Sequence, residues 1–312
     1  MQQVFPDYYK EFKCIGGVCA HNCCIGWEID IDPDTAAFYR TVSGEMGLRL
    51  KENIAWDGEE PHFILGEKER CPFLNRDNLC DIILDLGEEY ICGICTDHPR
   101  FRNELPGRME TGIGLCCEEA GRLILGKTTP MRLEISGEAE EEDEIVALRD
   151  RVLVILQDRR LSIPDRVQEM LAFCGTVLPD MSMDQWGQQL LELERLDESW
   201  TEMLVKLRDQ WERADLAGFD AHMAQRQTEY EQLLAYFVYR HLANAVDEVD
   251  FAARAAFAVL GYEVLHVLGA IIWTETGEFT FARQVELARL LSSEIEYSDE
   301  NLDIILDKLA WC

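Results

Sequence analysis

The sequence predicts a mainly α protein in two parts. Residues 1–130 read as an irregular, Cys-rich metal-binding region with little β, and residues 131–312 as an all-helical region. Three observations predict this. Ten of the 12 cysteines lie in the first 117 residues. Glycine and proline break the same region into short pieces, at Gly16-Gly17, Gly26, Pro33, Gly58, Pro61, Pro72, Pro99, Pro106-Gly107 and Pro130. Beyond it, apolar residues recur at helical spacing, and strand-like alternation is scarce, Trp27-Glu28-Ile29-Asp30-Ile31-Asp32 being the clearest case.

Composition narrows the function classes. Of the 312 residues, 47% are apolar and 29% charged, which describes a globular chain rather than a disordered one. Lys plus Arg number 29 against 60 Asp plus Glu, a net charge of −31. Such a surface repels phosphate backbones and anionic lipid, so nucleic-acid and membrane partners are not expected, whereas a basic partner such as a lysine side chain is. The opening MQQVFPDYYKEFK has neither a basic n-region nor an apolar h-region, so a cytoplasmic protein with reduced thiols is expected.

In chain order, the first element is Cys14-x4-Cys19-x3-Cys23-Cys24, the second Cys71-x8-Cys80-x11-Cys92-x2-Cys95, and the third Cys116-Cys117. Cys174 and Cys312 stand alone. Metal ions want three or four thiolates converging on one point, and short spacings achieve this at low loop-closure cost. Packing as small buried hydrophobes is the plain alternative. Ten cysteines in 117 residues are too many for it. All-thiolate ligation with no His at zinc spacing suits a four-Cys zinc site or an iron–sulfur cluster, and the spacing leaves both open. Cys19-x3-Cys23 is not the start of a CxxxCxxC motif, because residue 26 is Gly.

The acidic run Glu138 to Glu144 reads as a solvated linker feeding a helix N-terminus. Ile145, Leu148, Val152 and Ile155 or Leu156 begin the helical pattern, and Pro164 opens the next helix with Ser162 or Asp165 near its cap. Leu193, Leu196, Trp200, Leu204, Leu207 and Trp211 predict one long helix, and Tyr230, Leu233, Leu234, Phe237 and Leu242 another. Phe251 to Trp273 is apolar nearly all round. Arg254, Glu263 and His266 interrupt it, which predicts a buried central helix rather than a membrane span. Phe281–Leu291 and Leu302–Leu309 close the chain.

The stretch Phe12-Lys13-Cys14-Ile15-Gly16-Gly17-Val18-Cys19-Ala20-His21-Asn22-Cys23-Cys24-Ile25-Gly26-Trp27, with Tyr39 following, resembles the N-terminal signature of the flagellin lysine-N-methylases. Cys71-Pro72-Phe73-Leu74-Asn75, Leu79-Cys80-Asp81-Ile82, Cys92 to Cys95 with His98-Pro99-Arg100, and Cys117-Glu118-Glu119-Ala120-Gly121-Arg122 resemble that family's later blocks. The family sits within the wider CxxCxxCC putative zinc- or iron-chelating group. The resemblance implies methyl transfer from S-adenosylmethionine to lysines of flagellin and a Cys-held cluster, [4Fe–4S] with zinc as the alternative. The metal positions it implies are Cys14, Cys19, Cys23, Cys24, Cys71, Cys80, Cys95 and Cys117, with Cys92 and Cys116 as spectators. Two departures stand out: the first block is Cx4Cx3CC rather than CxxCxxCC, and His98 sits where an aromatic is usual.

Other candidates are weighed against plainer readings. Asp97, His98 and Arg100 either line a site or support the Cys loop by hydrogen bonds. Trp27, Tyr39 and Trp56 either cradle a methylated ammonium or pack in the core, and burial habits favour packing. Glu110-Thr111-Gly112-Ile113-Gly114-Leu115 carries a Gly-x-Gly that reads as a turn rather than a donor-binding loop, since no strand–turn–helix context is evident. His222, His241 and His266 read as satisfied helix histidines. The competing class is a non-enzymatic metalloprotein: an electron carrier, a metal-delivery protein or a metal-stapled interaction module. The long helical part favours an enzyme, which needs walls for its substrates.

Overall fold

The computed structural model describes residues 1–56, 60–138 and 143–310. Gly58, residues 139–142 of the acidic run, and Cys312 lie outside the described residues. Among those described there are fourteen α-helices and two small sheets, so the chain is mainly α.

Two compact units form: Lys13–Arg100, and Met1–Phe12 together with Phe101–Cys312. The expected division near residue 130 differs from this for a specific reason. The strand Gln2–Pro6 lies between Arg108–Ile113, to which it runs parallel (Gln2 opposite Arg108), and Leu133–Ser136, to which it runs antiparallel (Val4 opposite Ile135). Arg100–Leu105, joined to Arg108–Ile113 through Pro106-Gly107, completes a four-stranded sheet. This sheet ties the chain start and residues 101–136 to the helices. It also puts one strand, Leu133–Ser136, into the region expected to be all-helical. These strands are only four to six residues long, and Gln2–Pro6 pairs with partners more than a hundred residues away, so no local alternation announces the sheet.

The helical unit is organised on Glu248–Thr276. Asp247 caps its start by accepting the Asp250 N–H at 2.9 Å, and Gly277, left-handed at φ 72°, ends it. It is the one described helix long and apolar enough to cross a membrane, and 89% of its most apolar window is buried inside the protein. Around it pack Ile163–Cys174, Glu198–Gln210, Gln227–His241, Phe281–Leu291 and Asp299–Ala310. Ser162 caps Ile163–Cys174, and Asp143 caps Glu144–Leu156 by accepting the Val146 N–H at 3.0 Å. The stripe from Leu193 to Trp211 is not one helix. Asp197 caps a helix that begins at Glu198, and the Leu196 and Asp197 amides donate instead to the Glu294 carboxylate at 2.9 and 2.8 Å. Leu196 is exposed in consequence.

In the Lys13–Arg100 unit, Ile29, Ile31, Tyr39, Leu50, Ile54, Phe63 and Phe73 make a small core that also contains Cys71 and Cys92. Residues 27–32 keep the expected alternation, with Ile29 and Ile31 buried and Glu28 and Asp30 exposed, but they form no continuous strand. They pair with 61–63 through an isolated bridge, Asp30 opposite His62, and two flanking hydrogen bonds.

Candidate metal centre

The Lys13–Arg100 unit brings cysteines from distant stretches together through backbone contacts. The Cys71 amide donates to the Cys24 carbonyl at 2.8 Å, which sets those two residues side by side. A turn from Cys71 to Leu74, and a bridge from Leu74 to Cys80, bring Cys80 back alongside. Cys80 and Cys92 then occupy the N-cap positions of the helices Asp81–Asp85 and Gly93–Asp97. Cys92 Sγ lies 3.2 Å from Cys95 Sγ. Gly17 holds the first cysteine loop against residues 75–79: a Cβ there would stand 2.4 Å from the Asp77 carbonyl oxygen.

Backbone N–H groups face the sulfurs, those of Phe73 and Leu74 toward Cys71, Ile82 and Ile83 toward Cys80, and Cys95 toward Cys92. Such donors favour the thiolate. The Gly16 amide donates to Cys14 Sγ at 3.4 Å. Opposing them are burial and the thiols' own mutual repulsion. Burial pushes Cys71 up to about 11, with Cys80 and Cys92 adding to the effect, and it also raises Cys80. Cys24 and Cys95 are raised chiefly by hydrogen bonding to Cys23 and Cys92, which are correspondingly lowered. Each pair therefore shares a proton. The repulsions interlink Cys24, Cys71, Cys80, Cys92 and Cys95, and burial, then the charges of Cys92, Cys95 and Cys80, raise the nearby Tyr39 hydroxyl. Five half-buried to buried thiols that cannot all ionise alone, with amides aimed at them, form a donor set whose charge a bound cation would balance.

A tetrahedral zinc ion draws its thiolates to roughly 3.8 Å from one another, given Zn–S bonds of about 2.3 Å. Among the described residues, the trio whose ligand atoms all lie within 4.8 Å of one another is not made of cysteines; it is Glu28, Asp30 and His62, with both carboxylates exposed. Cys92 Sγ and Cys95 Sγ, 3.2 Å apart, are closer than the zinc spacing, so zinc and a polynuclear cluster both stay open.

The other cysteines are placed differently. Cys14 is exposed, and the Cys19 thiol donates to the His21 carbonyl at 3.2 Å. Cys117 belongs to the helical unit, as N-cap residue of Glu118–Leu125, and packs on that unit's apolar core. Cys116 neighbours Tyr297 and Arg240, and burial pushes its thiol up to about 12. Cys92, a spectator by the resemblance, stands inside the thiol group. The sign of this in the sequence is Cys92-x2-Cys95 itself, a spacing that one helical turn converts into adjacent sulfurs.

Trp27, Tyr39 and Trp56 are engaged within the protein, in line with the favoured packing reading rather than an ammonium cradle. Trp56 stacks under the Arg40 guanidinium at 4.4 Å, Tyr39 donates its hydroxyl to the Tyr90 carbonyl at 2.9 Å, and the Trp27 indole N–H donates to the Cys23 carbonyl beside His98. Burial and then Arg100 bring His98 down to about 4, so at neutral pH its ring is uncharged.

The Gly-x-Gly does have a strand before it and a helix after it, Arg108–Ile113 and Glu118–Leu125. Its glycines nevertheless make room for side chains rather than for a ligand. A Cβ on Gly112 would lie 2.3 Å from Phe101 Cζ, and one on Gly114 would lie 2.2 Å from Tyr297 Oη. Gly114→Ala is expected to cost roughly 1–3 kcal/mol, read as a lower urea midpoint with unchanged slope.

Beside it lies a polar hub that local sequence patterns did not reveal. Glu296, on a π-helical turn at Ser292–Glu296, accepts from the Tyr236 hydroxyl at 3.0 Å and faces His241 Nε2 at 2.6 Å. The Arg240 guanidinium lies between the Phe101 and Tyr297 rings, at 4.9 and 4.6 Å. Burial would raise Glu296, but Arg240 and His241 hold it below the usual range, while burial lowers His241. The hub is a buried carboxylate–guanidinium pair with a neutral histidine.

The chain thus combines a Cys-rich unit with a gathered thiol group and a mainly α unit. Residues 177–310 match the FliB lysine N-methylase C-terminal domain. This stretch, under half of the chain, is what the chain shares with lysine N-methylases. The chain is 29% identical over 137 residues to the flagellar biosynthetic protein FliU of Salmonella muenchen, covering 41% of this chain and 79% of that protein. It is also 29% identical to the lysine-N-methylases of Salmonella typhimurium and Salmonella choleraesuis, where the match spans 33% of their length. No solved structure matches the chain at a significant level.

Proposed function

We propose that the protein is an S-adenosylmethionine-dependent lysine N-methyltransferase whose substrate is flagellin, acting in the cytoplasm and carrying a [4Fe–4S] cluster on cysteines of the Lys13–Arg100 unit. The observation that carries this reading is the match of residues 177–310 to the FliB lysine N-methylase C-terminal domain. The net charge of −31 supports it, because an acidic surface attracts a lysine-bearing partner.

The reaction is an in-line displacement. The lone pair of a deprotonated lysine amine attacks the methyl carbon, the C–S bond breaks with its electrons staying on sulfur, and the new ammonium loses a proton. No electron is transferred, so the reaction needs alignment, exclusion of water and removal of a proton rather than iron. Four of Cys24, Cys71, Cys80, Cys92 and Cys95 would hold the cluster, and its chemistry there would be charge neutralisation and cross-linking of a unit whose own apolar core is small.

Co-expression with a flagellin, followed by intact mass of the flagellin, tests the activity. Increments of about 14 Da per methyl are expected, in line with transfer of one carbon unit at a time. An unshifted flagellin beside folded, metal-loaded protein overturns the reading.

A further inference from the structure

A cavity of about 380 Å³ opens in the helical unit among Ile163–Cys174, Leu216–Met223, Gln227–His241 and Glu248–Thr276. Tyr230, Tyr262 and His266 line it as a ring cluster, with centroids 5.3 Å apart for the two tyrosines and 5.5 and 5.8 Å from each tyrosine to the histidine. Asp220 also lines it, accepting from or pairing with His266 Nε2 at 2.8 Å while its carboxylate stays largely exposed. Its negative charge reaches both tyrosine hydroxyls. The basic group in the lining, Arg166, is already committed to Glu231 at 2.7 Å and to the Leu156 and Leu161 carbonyls.

One atom in this wall is unusual. Tyr230 is 1% exposed, and its hydroxyl has no hydrogen-bond partner. The other tyrosines of the same helix, Tyr236 and Tyr239, are both bonded. A buried phenol left unpaired is costly, and a donor entering the cavity would remove that cost. Aromatic rings, a carboxylate and an unused hydroxyl acceptor together describe a receptor for a cation that carries N–H groups.

We propose that this cavity seats the ε-ammonium of a lysine side chain of the protein substrate, between Tyr230, Tyr262 and Asp220, with the ammonium donating to the Tyr230 hydroxyl. The choice of lysine rests on the methylase reading; the cation-binding character rests on the cavity alone. Asp220, Tyr230, Tyr262 and His266 all fall within the residues that match the methylase domain.

The test is calorimetric titration of the metal-loaded full chain with Nα-acetyl-lysine methylamide and with its norleucine counterpart, which has a neutral methyl group in place of the ammonium. The lysine probe is expected to bind at least about tenfold tighter. Tyr230→Phe keeps the ring and is expected to weaken lysine binding about fivefold without lowering the melting temperature, since the hydroxyl holds nothing in the fold. Asp220→Asn is expected to weaken it about tenfold. Equal binding of the two probes, or Kd values unmoved in both variants, overturns the proposal. A protein that methylates flagellin but does not discriminate the probes refutes this site and leaves the methylase reading standing. One that binds the lysine probe as described but leaves flagellin unmodified does the reverse.

Discussion

Cys71→Ser is expected to strip the metal from the Lys13–Arg100 unit. Cys71 is buried, bonded through its amide to the Cys24 carbonyl, faced by the Phe73 and Leu74 amides, and electrostatically linked to Cys80 and Cys92. Serine keeps its approximate volume and removes the soft donor, so the loss reports on ligation rather than on a cavity. Removing a direct ligand should exceed the ~10–100-fold affinity loss that outer-shell changes cause. The scale of the accompanying destabilisation is set by structural metal sites, where binding contributes on the order of 10 kcal/mol of folding energy. The measurement is iron and sulfide per chain, absorbance near about 400 nm for a thiolate-held cluster, and the thermal midpoint. Cys174→Ser, in the helical unit, should leave the metal in place. Full metal content in Cys71→Ser would refute the assigned centre, and a colourless wild type holding one zinc per chain would refute the iron–sulfur choice.

The second large effect lies in the helical unit. Glu110 on the strand Arg108–Ile113 and Arg149 on the helix Glu144–Leu156 are both 0% exposed, and they are joined at 2.9 and 2.6 Å in a two-bond fork. Arg108 adds a third contact at 2.6 Å, and the Tyr239 ring lies 5.1 Å from the Arg149 guanidinium. Glu110→Ala removes the fully buried partner of Arg149 and leaves as its counter-charge the half-exposed Asp150 at 2.8 Å, which costs roughly 3 kcal/mol, the low end for breaking a buried pair. In a unit of this size that is a fall of about 10 °C in thermal midpoint. The double replacement Glu110→Leu with Arg149→Met should recover part of it, because the fully buried pair is then gone while Arg108, 14% exposed, still loses its carboxylate. Removing the exposed pair Arg160–Asp158 should leave the midpoint in place. A Glu110→Ala protein as stable as the parent would show that the fork is not dry.

Which features local sequence revealed follows from how far apart the interacting residues lie. The helix Phe281–Leu291 is delimited as its apolar spacing predicts, and the central helix and the Ser162 cap appear where the pattern put them, because a helix is built from contacts three and four residues apart. Cys92-x2-Cys95 is legible for the same reason. The stripe from Leu193 to Trp211 misled because its apolar period runs through a break made by Glu294, about a hundred residues away. The acidic partners of His241 and His266 are not legible locally, since Glu296 and Asp220 lie 55 and 46 positions off.

Cysteine density and helical periodicity, properties of the chain read in one dimension, were enough to mark a Cys-rich region and a mainly α body, and the Cys blocks carry the resemblance to lysine methylases. Folding alone settled which thiols meet, where the four-stranded sheet ties the chain start to the helices, and that Tyr230 keeps an unpaired hydroxyl beside Asp220. Each of these depends on groups remote along the backbone approaching within a few ångströms, and that approach is set by how whole elements pack.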